Sequence, residues 1–441
     1  MGTTEAKSGQ APMARRFRQG IVVVVLAVLS LVLLAATSST NAANVPPGPS
    51  DLPTSPIFSS TVQSPPPAFY RPPSPLPDVL PGTILKSEPI SDAPRGVAAT
   101  RIMYMSRSAN GEPVAVTGLI AQPATAAPPG GRPVVAFAHG TTGIGRECGI
   151  SQDPFTPGTA GASMWDPRMR PLVDSGYVVA ATDYEGEGAP GKPTYLVESI
   201  EGQNVLDSLR AAIYLEPEAV DPSNLAIYGH SQGGHAALSA ASLAPSYAPE
   251  LQVRGVVGAA PGLLPSLPLV VSQLVNQSGT PDEAAARAAY LMNIIKSWTV
   301  LYPDDIRPSD YLTSEGIELL PDTLKYCYGN LSSKLRGRFD KIVKAAPANS
   351  MLKVTSENMP VDRKIEAPVL LLQGLKDTDV VPQLTIAAAN SLCQLGSDVE
   401  LRTFANDTHE TLLWSARPTL LDWLSDRFER LPTSSTCGGL R

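Results

Sequence analysis

A chain of 441 residues, 43% hydrophobic and 17% charged, is long enough for two or three average domains or one large one, with a substantial apolar core. Its net charge of −7 argues against nucleic acid as a partner, because phosphate binding needs clustered Lys and Arg and no such cluster stands outside the N-terminus. The four cysteines never fall at Cys-x-x-Cys spacing, so they give no metal-ligand pattern.

The N-terminus has the order of a secretory signal. Arg15, Arg16 and Arg18 precede a nearly unbroken apolar run of 16 residues, Ile21 to Ala36, and Thr40-Asn41-Ala42 supplies a cleavage site. The run is shorter than the ~20 apolar residues of a membrane span. Residues 1–42 therefore read as a signal peptide in preference to a retained anchor, and the protein as secreted or associated with the cell envelope. No cysteine lies near the cleavage site, which speaks against a lipoprotein anchor. Cleavage would remove four positive charges and one negative, taking the net charge from −7 to −10. Export also permits disulfides. Cys148, Cys327, Cys393 and Cys437 allow three pairings, of which Cys148–Cys327 with Cys393–Cys437 is favoured.

Residues 43–68 are Pro-rich and read as an extended linker, since proline removes backbone donors. From Phe69 the chain has aromatic residues to bury against a domain. ATRIMYMSR (99–107) and PVAVTGLIAQP (113–123) read as a hairpin around Asn110-Gly111. PVVAFAHG (133–140) and YVVAATDY (177–184) are buried strands. Ile200, Val205, Leu206, Leu209, Ala212 and Ile213 then fall on one helical face. Strand Leu225–Tyr228, a helix from Gln232 and strand 253–260 follow. Strands separated by helices predict a mostly parallel sheet covered on both faces.

That rhythm breaks at about residue 262. A capping box with Pro at the first helical position, Thr280-Pro281-Asp282-Glu283, opens a helix to about Trp298. Further helical pieces are expected near 319–326 and 331–345. The alternation returns with APVLLLQG (367–374), a helix over 382–393, DVELRTF (398–404) and a final helix from Pro418. Residues 262–362 are therefore read as a helical insertion, a lid or cap, within one core formed by 69–261 and 363–441.

The chemistry centres on Gly229-His230-Ser231-Gln232-Gly233, placed between a strand and a helix. Glycines flanking a serine there relieve the crowding of a tight turn that presents the hydroxyl at the sheet edge. A serine hydroxyl needs a base. Of the four histidines, His409, in the loop after the strand ending at Phe404, is the candidate. His230 reads as a packing residue beside the turn, His235 as a buried core residue and His139 as a residue that shapes its own loop. Asp377 is preferred over Asp379 as the carboxylate that orients His409, following the Ser…Asp…His order of this strand-turn-helix arrangement. The N–H groups of Gln232 and Thr141 are the expected oxyanion donors.

Together these pieces resemble the secretory lipase family of α/β-hydrolases. The resemblance rests on Phe69-Tyr70-x-Pro-Pro, His139-Gly140-Thr141-Thr142-Gly143 with Cys148 following, Asp183-Tyr184-Glu185-Gly186-x-Gly188, Gly229-His230-Ser231-Gln232-Gly233-Gly234, Gly374-x-x-Asp377 and Thr408-His409-Glu410. It implies an α/β-hydrolase fold with a helical lid, Ser231, Asp377 and His409 as a triad, and hydrolysis of acylglycerols and other carboxylic esters at a lipid–water interface. One departure is Cys148-Gly149-Ile150-Ser151, where family members often continue Cys-Ala-Pro-Ser. For Asp183-Tyr184, a capped strand end and a substrate-side role are both open. Such a mechanism needs neither metal nor organic cofactor, and an unperturbed His409 would titrate near ~6.5. An acyltransferase acting on envelope lipids or sugars, a peptidase and a non-catalytic binding module are the competing readings.

Overall fold

Apolar runs bounded by glycine, proline and polar turns become the strands of one nine-stranded sheet. The computed structural model describes residues 66–264, 280–344 and 351–439; the expected signal segment and nearly all of the expected linker lie outside the described residues. The strands are β1 (Ile84–Pro89), β2 (Val97–Arg107), β3 (Pro113–Pro123), β4 (Arg132–Ala138), β5 (Val178–Thr182), β6 (Val220–His230), β7 (Val253–Ala259), β8 (Val369–Gly374) and β9 (Val399–Phe404). They are ordered β1-β2-β3-β5-β4-β6-β7-β8-β9. The β2–β3 hairpin pairs Arg107 with Pro113 across the Asn-Gly turn. From β5 through β9 every pairing is parallel.

The central parallel strands β4, β5, β7 and β8 are apolar on both faces because both faces are covered. In β8, Val369 and Leu371 join one core layer while Leu370 and Leu372 join the other. Helices α1 (Glu198–Leu215) and α2 (Gln232–Tyr247) supply much of the first layer. They approach closely because Gly202 has no side chain; a Cβ there would lie 2.9 Å from the Ser239 carbonyl carbon. Burying each Leu or Ile of these layers contributes roughly 1.5–3 kcal/mol.

Between β7 and β8 the described chain is helical. α3 (Pro281–Leu301) starts at the capping box: Thr280 Oγ1 accepts from Glu283 N–H at 3.3 Å and Glu283 Oε2 accepts from Thr280 N–H at 2.6 Å. Short helices at Ser314–Leu319 and Leu320–Leu324, then α4 (Tyr328–Leu335) and α5 (Met351–Glu357), follow. The helical stretch expected near 331–345 comprises the end of α4 and a short helix at Phe339–Ile342, separated at Gly337, whose φ is 70°. These helices have a core of their own around Trp298, Ile295 and Leu331, and it includes Tyr195 and Val197 from the segment leading into α1 and Ile200 from its first turn. β1 and two short helices at Ala160–Met164 and Arg170–Asp174 were not anticipated from sequence.

α6 (Pro382–Gln394) and α7 (Arg417–Phe428) complete the core. The C-terminal tail then runs beside β9, where Thr436 N–H donates to the Val399 carbonyl at 2.8 Å. Both favoured disulfides are present, Cys148–Cys327 and Cys393–Cys437. The second closes a span of 44 residues. The loop-closure relation gives it about 4 kcal/mol through the unfolded chain. Replacing Cys393 and Cys437 together with Ser is expected to lower unfolding free energy by about that amount in urea titrations; an unchanged midpoint would show that the tail clamp is not stabilising.

Candidate active site

β6 ends at His230 and α2 begins at Gln232, leaving Ser231 as a one-residue turn with φ 60° and ψ −123°. That backbone conformation is costly for a residue with a side chain. It persists because its surroundings are closed. A Cβ on Gly229 would sit 1.9 Å from the Gly233 carbonyl oxygen, and one on Gly233 would sit 1.9 Å from the Ala138 carbonyl oxygen. Ser231 N–H donates to the Ala259 carbonyl of β7 at 2.9 Å. Gln232 opens α2, where an N–H has no carbonyl partner within the helix.

Two strands further along the sheet, the loop after β8 carries Asp377. Its Oδ1 accepts from the N–H groups of Asp379 (2.9 Å) and Val380 (2.8 Å), and its Oδ2 from Gln373 Nε2 (3.2 Å) and His409 Nδ1 (2.8 Å). Asp377, not Asp379, is thus the carboxylate bonded to His409. Because Nδ1 donates to the carboxylate, the lone pair of neutral His409 is on Nε2. Gln373 was not singled out from sequence. Its side chain reaches back four residues, a contact that no motif announces.

His230 links the turn to His409. The two rings lie 4.4 Å apart, and His230 Nε2 is 3.0 Å from the His409 carbonyl oxygen. A carbonyl only accepts, so His230 Nε2 carries the hydrogen. Ser231 Oγ itself is not hydrogen-bonded to the His409 ring in this structure. Catalytic hydrogen bonds are often long in empty sites and tighten around substrate. Burial acts against the charged form of His409, but the hydrogen bond and charge of Asp377, with the charges of Asp379 and Glu410, outweigh it and push the ring up to about 9. The value of ~6.5 expected for an unperturbed ring is therefore corrected upward. His230 goes the other way: burial, then the charges of His409 and Arg168, push it well below the ordinary histidine range.

The loop after β4 passes beside the nucleophile, with a Cβ on Gly140 placed only 3.7 Å from Ser231 Cβ. The next residue, Thr141, bonds Tyr195 through the two hydroxyls at 2.6 Å. His139 Nδ1 donates to the Gly140 carbonyl at 2.7 Å, and burial lowers its pKa to about 4, so it shapes this loop as a neutral ring. Behind the loop, burial raises the Glu187 carboxyl well above its usual range while Thr142 Oγ1 bonds its Oε2 at 3.0 Å. Asp183 is buried and accepts from Ser151 N–H (2.8 Å), Ser151 Oγ (2.5 Å) and Thr117 Oγ1 (2.6 Å), so it braces structure and does not face substrate. A Cβ on Gly149 would lie 2.7 Å from the Gly188 backbone nitrogen, which favours glycine at the departing position. His235 is a buried, fully bonded residue: Nδ1 to Glu201 Oε2 and Nε2 to the Asn358 carbonyl, both at 3.0 Å.

A parallel sheet with a serine at a strained strand-to-helix turn, and a histidine–carboxylate pair at the same edge, is the arrangement of the α/β-hydrolase fold. Part of the chain is similar to the secretory lipases. The secretory lipase family model matches residues 160–278, which contain Ser231, and the prolyl oligopeptidase family model matches 337–428, which contain Asp377 and His409. A probable inactive lipase of Mycobacterium tuberculosis is 26% identical over 82% of this chain and 82% of its own length. Lipase 5 of Candida albicans is 26% identical over 86% of this chain and 84% of its own. The fold is similar to that of Candida antarctica lipase A in its closed state, with a TM-score of 0.68 at 19% identity, covering 84% of this chain and 87% of that one.

The raised His409 pKa has a kinetic consequence. A general base works as the neutral ring, so kcat/KM should rise with pH through a limb above ~6.5 and towards about 9. In Asp377→Asn the hydrogen bond and charge that do most to raise the ring are gone and burial is opposed only by the charges of Asp379 and Glu410, so the limb should move to lower pH while the plateau rate falls by about 10⁴. Profiles of kcat/KM from pH 5 to 10 check both; a wild-type limb at or below ~6.5 contradicts the charge balance described.

Proposed function

We propose that this protein is a secreted serine hydrolase that cleaves carboxylic esters, acylglycerols among them, through an acyl-enzyme on Ser231. The observation that carries the reading is the 2.8 Å hydrogen bond from His409 Nδ1 to Asp377, which leaves Nε2 as base beside the strained turn at Ser231. His409 Nε2 removes the Ser231 proton as Oγ attacks the ester carbonyl. The N–H groups of Gln232 and Thr141 stabilise the oxyanion. His409 then protonates the departing alcohol, and water repeats the sequence to release the acid. Asp377 holds the tautomer and steadies the imidazolium. No step calls for a metal or organic cofactor.

The substrate class follows from the kinship with lipases and from the insertion, which we read as a lid or acyl-site wall. In it Tyr290 and Tyr328 stack with ring centroids 4.8 Å apart, and Tyr328 N–H donates to the Thr142 carbonyl of the loop after β4. Export follows from the N-terminal order of charges and apolar residues. An acyltransferase would use the same acyl-enzyme with an alcohol in place of water.

Purified protein is expected to hydrolyse a series of p-nitrophenyl esters and an emulsified triglyceride, and Ser231→Ala to lose at least about 10⁴ of kcat. Adding an alcohol acceptor separates the two chemistries: free acid as main product supports hydrolysis, whereas an ester product dominating in water supports transfer. Activity surviving in Ser231→Ala would remove Ser231 from the mechanism. One relative carries the name of a probable inactive lipase, so the wild-type measurement is decisive for this chain.

A further inference from the structure

Thr141 was assigned above for its backbone N–H alone, yet its side chain is held as deliberately as its main chain. The Thr141 hydroxyl lies 2.6 Å from the Tyr195 hydroxyl. Thr141 is partly open to solvent beside Ser231, whereas Tyr195 is 4% exposed. Burial raises the Tyr195 pKa far beyond the ordinary phenol range, so the phenol keeps its proton at all working pH. Tyr195 is in turn fixed by α3 of the insertion: its N–H donates to Ser297 Oγ at 3.2 Å and its carbonyl accepts from Trp298 Nε1 at 3.1 Å. The following residue, Leu196, has φ 53° and donates its N–H to Glu201 Oε1 at 2.9 Å, which fixes the approach to α1.

Resting on the acyl-transfer reading, we propose that Thr141 donates to the oxyanion through its hydroxyl as well as its N–H, and that Tyr195 is the positioning residue that orients that hydroxyl. When Tyr195 O–H donates to Thr141 Oγ1, the Thr141 hydrogen is released to point towards the site. A developing negative charge there strengthens the chain Tyr195→Thr141→oxyanion, because each donor polarises the next in a low-dielectric setting. α3, through Ser297 and Trp298, sets where the chain begins. The helical insertion thereby takes part in transition-state stabilisation without touching the reacting atoms.

The test uses the full chain and a soluble ester. Thr141→Val, which keeps the N–H and removes the hydroxyl, is expected to lower kcat by about 100-fold with KM within about twofold, and Thr141→Ser to restore kcat to within about threefold. Tyr195→Phe is expected to lower kcat by about tenfold in the wild-type background and to have no further effect on Thr141→Val, since a residue that acts only through Thr141 is not additive with its loss. A merely structural Tyr195 would slow both backgrounds equally, and that result would overturn the proposal, as would an unchanged kcat in Thr141→Val. Where Thr141→Val fails to fold, binding of an alkylboronic acid, which forms a tetrahedral adduct, to Tyr195→Phe decides: weaker binding supports the proposal and equal binding overturns it. A wild-type protein inert to esters and to the boronic acid would sink the acyl-transfer reading and this inference with it. An active wild type with an indifferent Thr141→Val sinks this inference alone.

Discussion

The site depends on a packing constraint at the turn between β6 and α2. Gly229, Gly233 and the Ala138 carbonyl crowd so closely that no side chain fits at either glycine. Only that closeness lets the chain reverse within one residue and hold Ser231 at φ 60°. Strand order does the rest. β6, β7, β8 and β9 are consecutive parallel neighbours, so the loops carrying Ser231, Asp377 and His409 leave the same edge of the sheet. Residues separated by 146 and 32 positions in sequence need no further device to share one edge than a common direction of travel.

The insertion is tied to this machinery at several points. Cys327 is bonded to Cys148, and Tyr328 N–H donates to the Thr142 carbonyl at 2.7 Å, so the start of α4 is fastened to the loop after β4. Asn358, beyond α5, takes His235 Nε2 on its carbonyl and Glu198 N–H on its side chain. Glu201 holds His235 with one oxygen and Gln232 Nε2 with the other, the latter at 2.7 Å. Burial disfavours a charged His235, yet the Glu201 hydrogen bond and charge outweigh it and raise its pKa, so this second histidine–carboxylate pair is a buried brace beneath α2. An insertion fastened in this way cannot move as one rigid flap without disturbing the loop after β4.

What the sequence disclosed follows from locality. Apolar runs and their flanking turns gave the parallel strands, and Thr280-Pro281-Asp282-Glu283 gave the start of α3. The positions of Ser231 at the turn and of His409 after β9 were legible because glycine spacing and chain order constrain them. β1 was missed because ILKSEP does not alternate cleanly, despite the Pro81-Gly82 turn before it, and its partner β2 supplies the ordering. Gln373, Glu201 and Tyr195 were missed for a different reason: each acts through a contact that only the folded chain creates. The His409 pKa belongs to the same class, since burial and the charges of Asp377, Asp379 and Glu410 meet only after folding.

Covalent capture tests the central claim, that the hydroxyl at 231 is the group made nucleophilic by the pair at 377 and 409. The protein would be treated at alkaline pH with a fluorophosphonate, digested and mapped by mass spectrometry. One adduct on the peptide containing Ser231, strongly slowed in His409→Ala and absent after denaturation, is the result expected. An unlabelled Ser231 in folded protein, or equal labelling with and without His409, would contradict it.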